Sequence, residues 1–261
     1  MATEDKERIE YRQWALPAPR AVFLLVHGLG AHAGRWEAIG DFFLKKGISS
    51  YAIELPRQNL FRNCNDNILK LYDIAAKNNP AKKIFLIGES MGAIISFLLA
   101  AKKPGLFSGV VCISPAFASR YAPALLDGIK ILAPLLYNPG KEFKLPFDSS
   151  MCTRDPEYRK KMDEDMREYR TVSSKLIIEI LLTQARAGRM KKKLTTPVLF
   201  LVAGEDKIVD PRSAGAIFNG LLVKDKTLVE FPGMYHSLSI ELGKELVFEE
   251  ISRWVGKRIG P

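Results

Sequence analysis

The sequence predicts an α/β fold, a mostly parallel sheet covered by helices on both faces and interrupted once by a helical insertion. Three observations lead there. Short runs rich in Val, Ile, Leu and Phe alternate with longer helix-compatible segments from residue 21 to residue 114. The alternation stops at Ser114-Pro115 and resumes near residue 197. One strand-to-helix junction, Gly88-Glu89-Ser90-Met91-Gly92, leaves only five residues to make the turn and carries a serine at its apex.

Taken in order, residues 9–15 and 21–26 read as two strands joined by the turn Pro17-Ala18-Pro19. The second, Ala21-Val-Phe-Leu-Leu-Val26, is apolar throughout, as a central strand buried on both faces must be. A helix over 35–46 and a strand over 48–55 open a βαβ unit. Helix 67–78, strand 83–88, helix 91–102 and strand 109–114 continue it. Residues 116–193 contain no convincing strand; Leu125, Leu126, Ile129, Ile131, Leu132, Leu135 and Leu136 form an apolar helical stretch, 156–169 is charged, and Leu176, Ile177, Ile180 and Leu181 recur at helical spacing. Strand 197–203, helix 211–222, a near-edge strand 226–231 and helix 240–256 complete the chain. The expected organisation is a core of 1–115 and 194–261 with 116–193 as a helical cap. An insertion leaving the C-terminal end of one strand sits where open α/β sheets bind ligands, and so above Ser90.

A chain of 261 residues with 47% hydrophobic content suits one core with an insertion. The formal charge of +10 leaves transient contact with an anionic membrane surface open, with a solvated basic surface as the plainer account. Lys191-Lys192-Lys193 has no interleaved aromatic residues, which argues against a nucleic-acid groove. Cys64, Cys112 and Cys152 are far apart with no Cys-x-x-Cys, which indicates neither a disulfide framework nor a zinc ribbon. The charged N-terminus lacks an apolar signal region, and no run approaches a membrane span, so a cytoplasmic, soluble protein is expected.

The Gly-x-Ser-x-Gly junction is what a nucleophile elbow needs: a strained turn that exposes the serine, and small flanking residues that let strand and helix approach. A serine hydroxyl becomes a nucleophile only when a base takes its proton and a third group orients that base. In sheets that carry such an elbow the chain order is serine, acid, histidine. Of His27, His32 and His236, only His236 lies beyond the last strand and satisfies that order. The acid comes from Glu205, Asp206 or Asp210; Asp210-Pro211 reads as a helix N-cap, which leaves Asp206 as the better candidate. The N–H of Met91, the residue after the nucleophile, and that of Leu29 in His27-Gly28-Leu29-Gly30 are the candidate oxyanion donors. Gly28, with Leu125, Ile129 and Leu132 on the insertion, completes the candidate substrate contacts, although the apolar run 125–136 reads first as packing of the insertion onto the core. A rival reading is that Gly28-x-Gly30-x-x-Ala33, with Glu54 ending the next strand, satisfies a dinucleotide fingerprint and implies an NAD-dependent oxidoreductase. It leaves Ser90, Asp206 and His236 as coincidences.

On these residues the sequence resembles the α/β-hydrolase superfamily and, within it, the monoacylglycerol lipase and lysophospholipase-like group of serine hydrolases. The resemblance runs from about residue 20 to near the end. It rests on His27-Gly-Leu-Gly-Ala-His-Ala-Gly-Arg-Trp36, Gly88-Glu-Ser-Met-Gly92, Gly204-Glu-Asp-Lys-Ile-Val-Asp210 and Met234-Tyr-His236. It implies a helical cap over an acyl pocket, and hydrolysis of a small-molecule ester or lipid monoester without a cofactor or metal. One departure stands out: Glu54-Leu-Pro-Arg-Gln-Asn-Leu60 replaces the group's usual Arg-Gly-x-Gly-x-Ser segment, which alters the pocket wall on that side. An amidase or peptidase using the same three residues, or a ligand-binding module with an idle triad, are the other readings the residues allow.

Overall fold

The strand Ala21–Val26 (β2) is buried at every position, and its alternating side chains feed two separate cores. Val22, Leu24 and Val26 face one layer of helices, while Ala21, Phe23 and Leu25 face the other. The computed structural model describes residues 9–56, 60–121 and 133–260. Its central sheet has seven strands in the order β1-β3-β2-β4-β5-β8-β9, made from Tyr11–Trp14 (β1), Ile48–Ile53 (β3), Ile84–Glu89 (β4), Gly109–Ile113 (β5), Val198–Ala203 (β8) and Lys226–Phe231 (β9) around β2. All neighbours are parallel except β1, which runs antiparallel to β3 with Tyr11 opposite Ile53.

Glu37–Lys45 (α1) and Lys244–Ile259 (α8) cover one face, where Phe43, Phe248, Ile251 and Trp254 pack against Phe23 and Phe85. Leu60–Asn78 (α2), Met91–Lys102 (α3), Ser174–Met190 (α6) and Pro211–Asn219 (α7) cover the other. Every residue of α3 except Lys102 is buried, because this helix lies between the sheet and α6. Between β5 and β8 the chain leaves the sheet and forms Ser149–Cys152 (α4), Pro156–Glu164 (α5) and α6. Asp148, Asp155 and Ser173 cap these three helices by accepting backbone N–H bonds.

Several elements differ from expectation. The insertion contains two short strands, Glu142–Lys144 (β6) and Thr171–Ser173 (β7), paired antiparallel; three residues each are too few to show alternation in sequence. The first two strands form as expected, and β3 lies between them in the sheet. Helix α2 starts at Leu60 rather than 67: its first turns read as polar loop, but Cys64, Ile68, Leu71 and Ala75 all face the core. Helix α8 starts at Lys244 because Gly243, at φ 82°, takes the left-handed turn that precedes it, and Leu238–Ile240 forms a separate 3₁₀ turn. Leu125, Ile129 and Leu132 lie outside the described residues. All three cysteines are buried free thiols, and among the described residues no helix is long and apolar enough to cross a membrane.

Candidate active site

Ser90 sits between the end of β4 and the first turn of α3 with φ 57° and ψ −118°, a backbone region that a residue with a side chain occupies only when its surroundings force it. The surroundings here are two glycines. A Cβ on Gly88 would lie 2.2 Å from the Gly92 carbonyl oxygen, and one on Gly92 would lie 2.1 Å from that of Val26, so strand, helix and β2 meet at distances only glycine permits. The Ser90 N–H donates to the Ile113 carbonyl at 2.8 Å, which ties the turn to β5.

The serine hydroxyl lies 2.8 Å from His236 Nε2, and His236 Nδ1 lies 2.7 Å from Asp206 Oδ2. With Nδ1–H donating to the carboxylate, Nε2 presents its lone pair to the serine. The other Asp206 oxygen accepts the N–H groups of Ile208 and Val209 at 2.8 and 2.9 Å. Burial opposes the Asp206 charge, but His236 and these two amides outweigh it and hold its pKa below the ordinary carboxylate range. Burial likewise opposes an imidazolium at His236, and the Asp206 charge and hydrogen bond outweigh it, raising the imidazole's pKa. Asp210 caps α7 through the Arg212 N–H, and Glu205 is exposed, so neither reaches the histidine.

The other two histidines are engaged elsewhere. His27 Nδ1 donates to the Gly28 carbonyl while its Nε2 accepts the Leu55 N–H at 3.0 Å. His32 Nδ1 accepts the Gly34 N–H, and its Nε2 faces Asp165 at 3.1 Å; burial and Arg167 lower its pKa. The Gly28 turn closes against the serine, since a Cβ on Gly28 would lie 3.1 Å from Ser90 Cβ. Glu54, the acid of the dinucleotide fingerprint, accepts the N–H of Ala33 at 2.9 Å, so the fingerprint residues hold one another. Leu29 lines the cavity above Ser90, and Met91 opens α3.

Two features of the site have no local signal in the sequence. Arg35 and Glu168, both buried, form a two-pronged ion pair with Nε–Oε1 at 2.5 Å and Nη2–Oε2 at 2.8 Å, and both line the cavity with Phe147 and Cys152. Glu168 belongs to a stretch whose charge suggests a solvated surface. The neighbouring Tyr169 N–H donates to the Gly30 carbonyl at 3.1 Å, so this segment lies directly on the Gly28 turn. Secondly, the fully buried Glu241 carboxylate gathers four donors, the N–H groups of Tyr235, Leu242 and Arg154 and the Thr153 hydroxyl. It fastens the residue before His236 to the junction of α4 and α5. Among the described residues the space left above Ser90 is about 30 Å³, room for one water.

A mostly parallel sheet with its last strands in this order, and a serine on a strained strand-to-helix turn facing a histidine and a carboxylate, define the α/β-hydrolase class. The chain belongs to the Hydrolase_4 family, described as serine aminopeptidase, S33, which it matches over residues 17–243. It is 31% identical to the monoglyceride lipase of Mus musculus, across 99% of this chain and 90% of that protein, and 30% identical to that of Homo sapiens over the same shares. The crystal structure of Paleococcus ferrophilus monoacylglycerol lipase superposes with a TM-score of 0.84 at 27% identity, covering 95% of this chain and 98% of that one.

Proposed function

We propose that this chain is a serine carboxylic ester hydrolase acting through an acyl-enzyme on a lipid-like monoester, with a monoacylglycerol as the first substrate class and a lysophospholipid as the second. The observation that carries the reading is the continuous hydrogen-bonded line from Ser90 through His236 to Asp206 beneath a strained turn. Ser90 Oγ attacks the ester carbonyl as His236 Nε2 takes its proton, and Asp206 stabilises the imidazolium that forms. The N–H groups of Leu29 and Met91 bind the oxyanion. The imidazolium then protonates the departing alcohol, and water repeats the cycle on the acyl-enzyme. The monoglyceride and monoacylglycerol lipases among its relatives support the choice of substrate. Residues 116–193 serve as the cap, with Phe147 and Glu168 to Arg170 lining the space over Ser90 that the acyl chain enters.

The test is intact-mass spectrometry after exposure to a fluorophosphonate, followed by turnover assays on a 1-monoacylglycerol, a lysophosphatidylcholine and an aminoacyl amide. A single adduct on the wild type, absent from Ser90→Ala, with the monoacylglycerol turned over fastest, is the expected result. A folded wild type without an adduct refutes the serine mechanism, and preference for the amide refutes the substrate class.

A further inference from the structure

Glu89 is a buried acid that the mechanism above does not use. It ends β4, immediately before Ser90, and lines the cavity with Ser90, His236 and Ser237. Both of its oxygens are taken by one residue: Oε1 accepts the Ser239 N–H at 3.0 Å and Oε2 accepts the Ser239 hydroxyl at 2.8 Å. Ser239 lies in the 3₁₀ turn Leu238–Ile240 that follows His236 directly. That turn is closed by the Leu238 N–H on the His236 carbonyl and the Ile240 N–H on that of Ser237, so whatever fixes Ser239 also fixes the histidine's backbone. The strand that delivers the nucleophile therefore grips the loop that delivers the base.

A neutral acceptor would satisfy the Ser239 N–H equally well. A carboxyl group 7% exposed is an expensive choice for that task alone, because burial disfavours its charge. Among the described residues no lysine or arginine forms an ion pair with it; Arg35, the cation on the same cavity, is matched by Glu168. The charged and titratable groups around His236 are thus Asp206 on its Nδ1 side, Glu89 from β4, and Arg35 from the 3₁₀ turn Ala33–Trp36, with Glu168 behind Arg35. Cys152 of α4 and Tyr158 of α5 face the same cluster in their neutral forms, the first pushed up to about 11 and the second raised, both by burial.

We infer that Glu89 is a positioning residue for His236, pinning the turn behind it through Ser239 and placing a second negative charge beside the imidazolium that forms during the reaction. Burial raises the pKa of Glu89 itself, opposed by the two Ser239 donors and by His236, and in its charged form the carboxylate raises the basicity of His236, in the same sense as Asp206 but without contact. The inference rests on His236 being the base of the proposed function.

Glu89→Gln tests it, since the amide keeps an acceptor for the Ser239 N–H and removes the charge. The readout is the pH dependence of the fluorophosphonate inactivation rate and of kcat/KM on p-nitrophenyl butyrate. In E89Q the midpoint of the acidic limb is expected to fall by about half to one pH unit, with kcat down roughly tenfold and KM within about twofold. Ser239→Ala weakens the hold on the charge and is expected to move the limb the same way by a smaller amount. A folded E89Q whose limb superimposes on the wild type overturns the inference, and if E89Q does not fold, an unmoved limb in S239A does so. A wild type that neither labels nor turns over removes the proposed function instead, which keeps the two failures apart.

Discussion

Replacing Glu168 by Gln leaves the Arg35 guanidinium buried beside a neutral amide. The two side chains are 3% and 10% exposed, and their paired contacts of 2.5 and 2.8 Å leave no room for water between them. Burial opposes the Arg35 charge, yet the Glu168 carboxylate more than restores it, so the arginine titrates above its ordinary range. Unit charges about 4 Å apart attract by about 4 kcal/mol at an effective dielectric near 20. Removing one member of a buried pair destabilises by about 3–5 kcal/mol, because the survivor keeps its desolvation penalty. The expected loss for E168Q is therefore about 3–4 kcal/mol in urea unfolding at 25 °C, with Tm lower by roughly 10 °C. The same argument sets the outcome for a double variant. Arg35→Met with Glu168→Met removes both charges and restores apolar packing, so it is expected to recover to within about 1 kcal/mol of the wild type. A loss below about 1 kcal/mol in E168Q, or a double variant no more stable than the single one, refutes the reasoning.

Four further outcomes follow from the same geometry. Asp206→Asn is expected to lower kcat by about four orders of magnitude with the fold kept, because an amide favours the wrong histidine tautomer; circular dichroism and steady-state kinetics check it. The proposed base is neutral His236, whose pKa lies above its ordinary 6.5, so kcat/KM is expected to rise with pH along a limb centred above that value. Asp206 gives stability a pH dependence of the same sense at lower pH: its contribution is present above its ordinary 3.8 and lost as pH falls through the lower folded value, visible as an acid-side decline that D206N lacks. Glu241→Ala strands four buried or half-buried donors and is expected to destabilise by at least about 3 kcal/mol in urea, with kcat falling as Tyr235 and His236 lose their anchor.

The parts of this protein that the sequence makes legible are those governed by local rules. The elbow is one, because a strand, five turn residues and a helix are contiguous, and the two glycines it needs are visible. The meeting of Ser90, Asp206 and His236 spans 146 residues, yet three histidines and a fixed chain order reduce the search to one. The Arg35–Glu168 pair has no such rule. Its members lie 133 residues apart, and a glutamate in a charged stretch looks the same whether it faces water or a buried arginine. Glu241 is hidden for a similar reason, since its partners are mainly backbone N–H groups, which every residue but proline carries. The strands β6 and β7 escape because three residues cannot display a period of two. The start of α2 was obscured by its polar outer face.

The last strand of the sheet ends at Phe231, and the candidate base and its anchor, His236 and Glu241, come only after it. The nucleophile, its turn and all seven strands are therefore synthesised before the candidate base, and α8, whose Phe248, Ile251 and Trp254 cover one face of the sheet, comes later still. Hydrolytic activity then waits on the stretch after Phe231, which brings His236, Glu241 and α8 together, and in cell-free synthesis its onset would time the completion of folding rather than the synthesis of the sheet's strands.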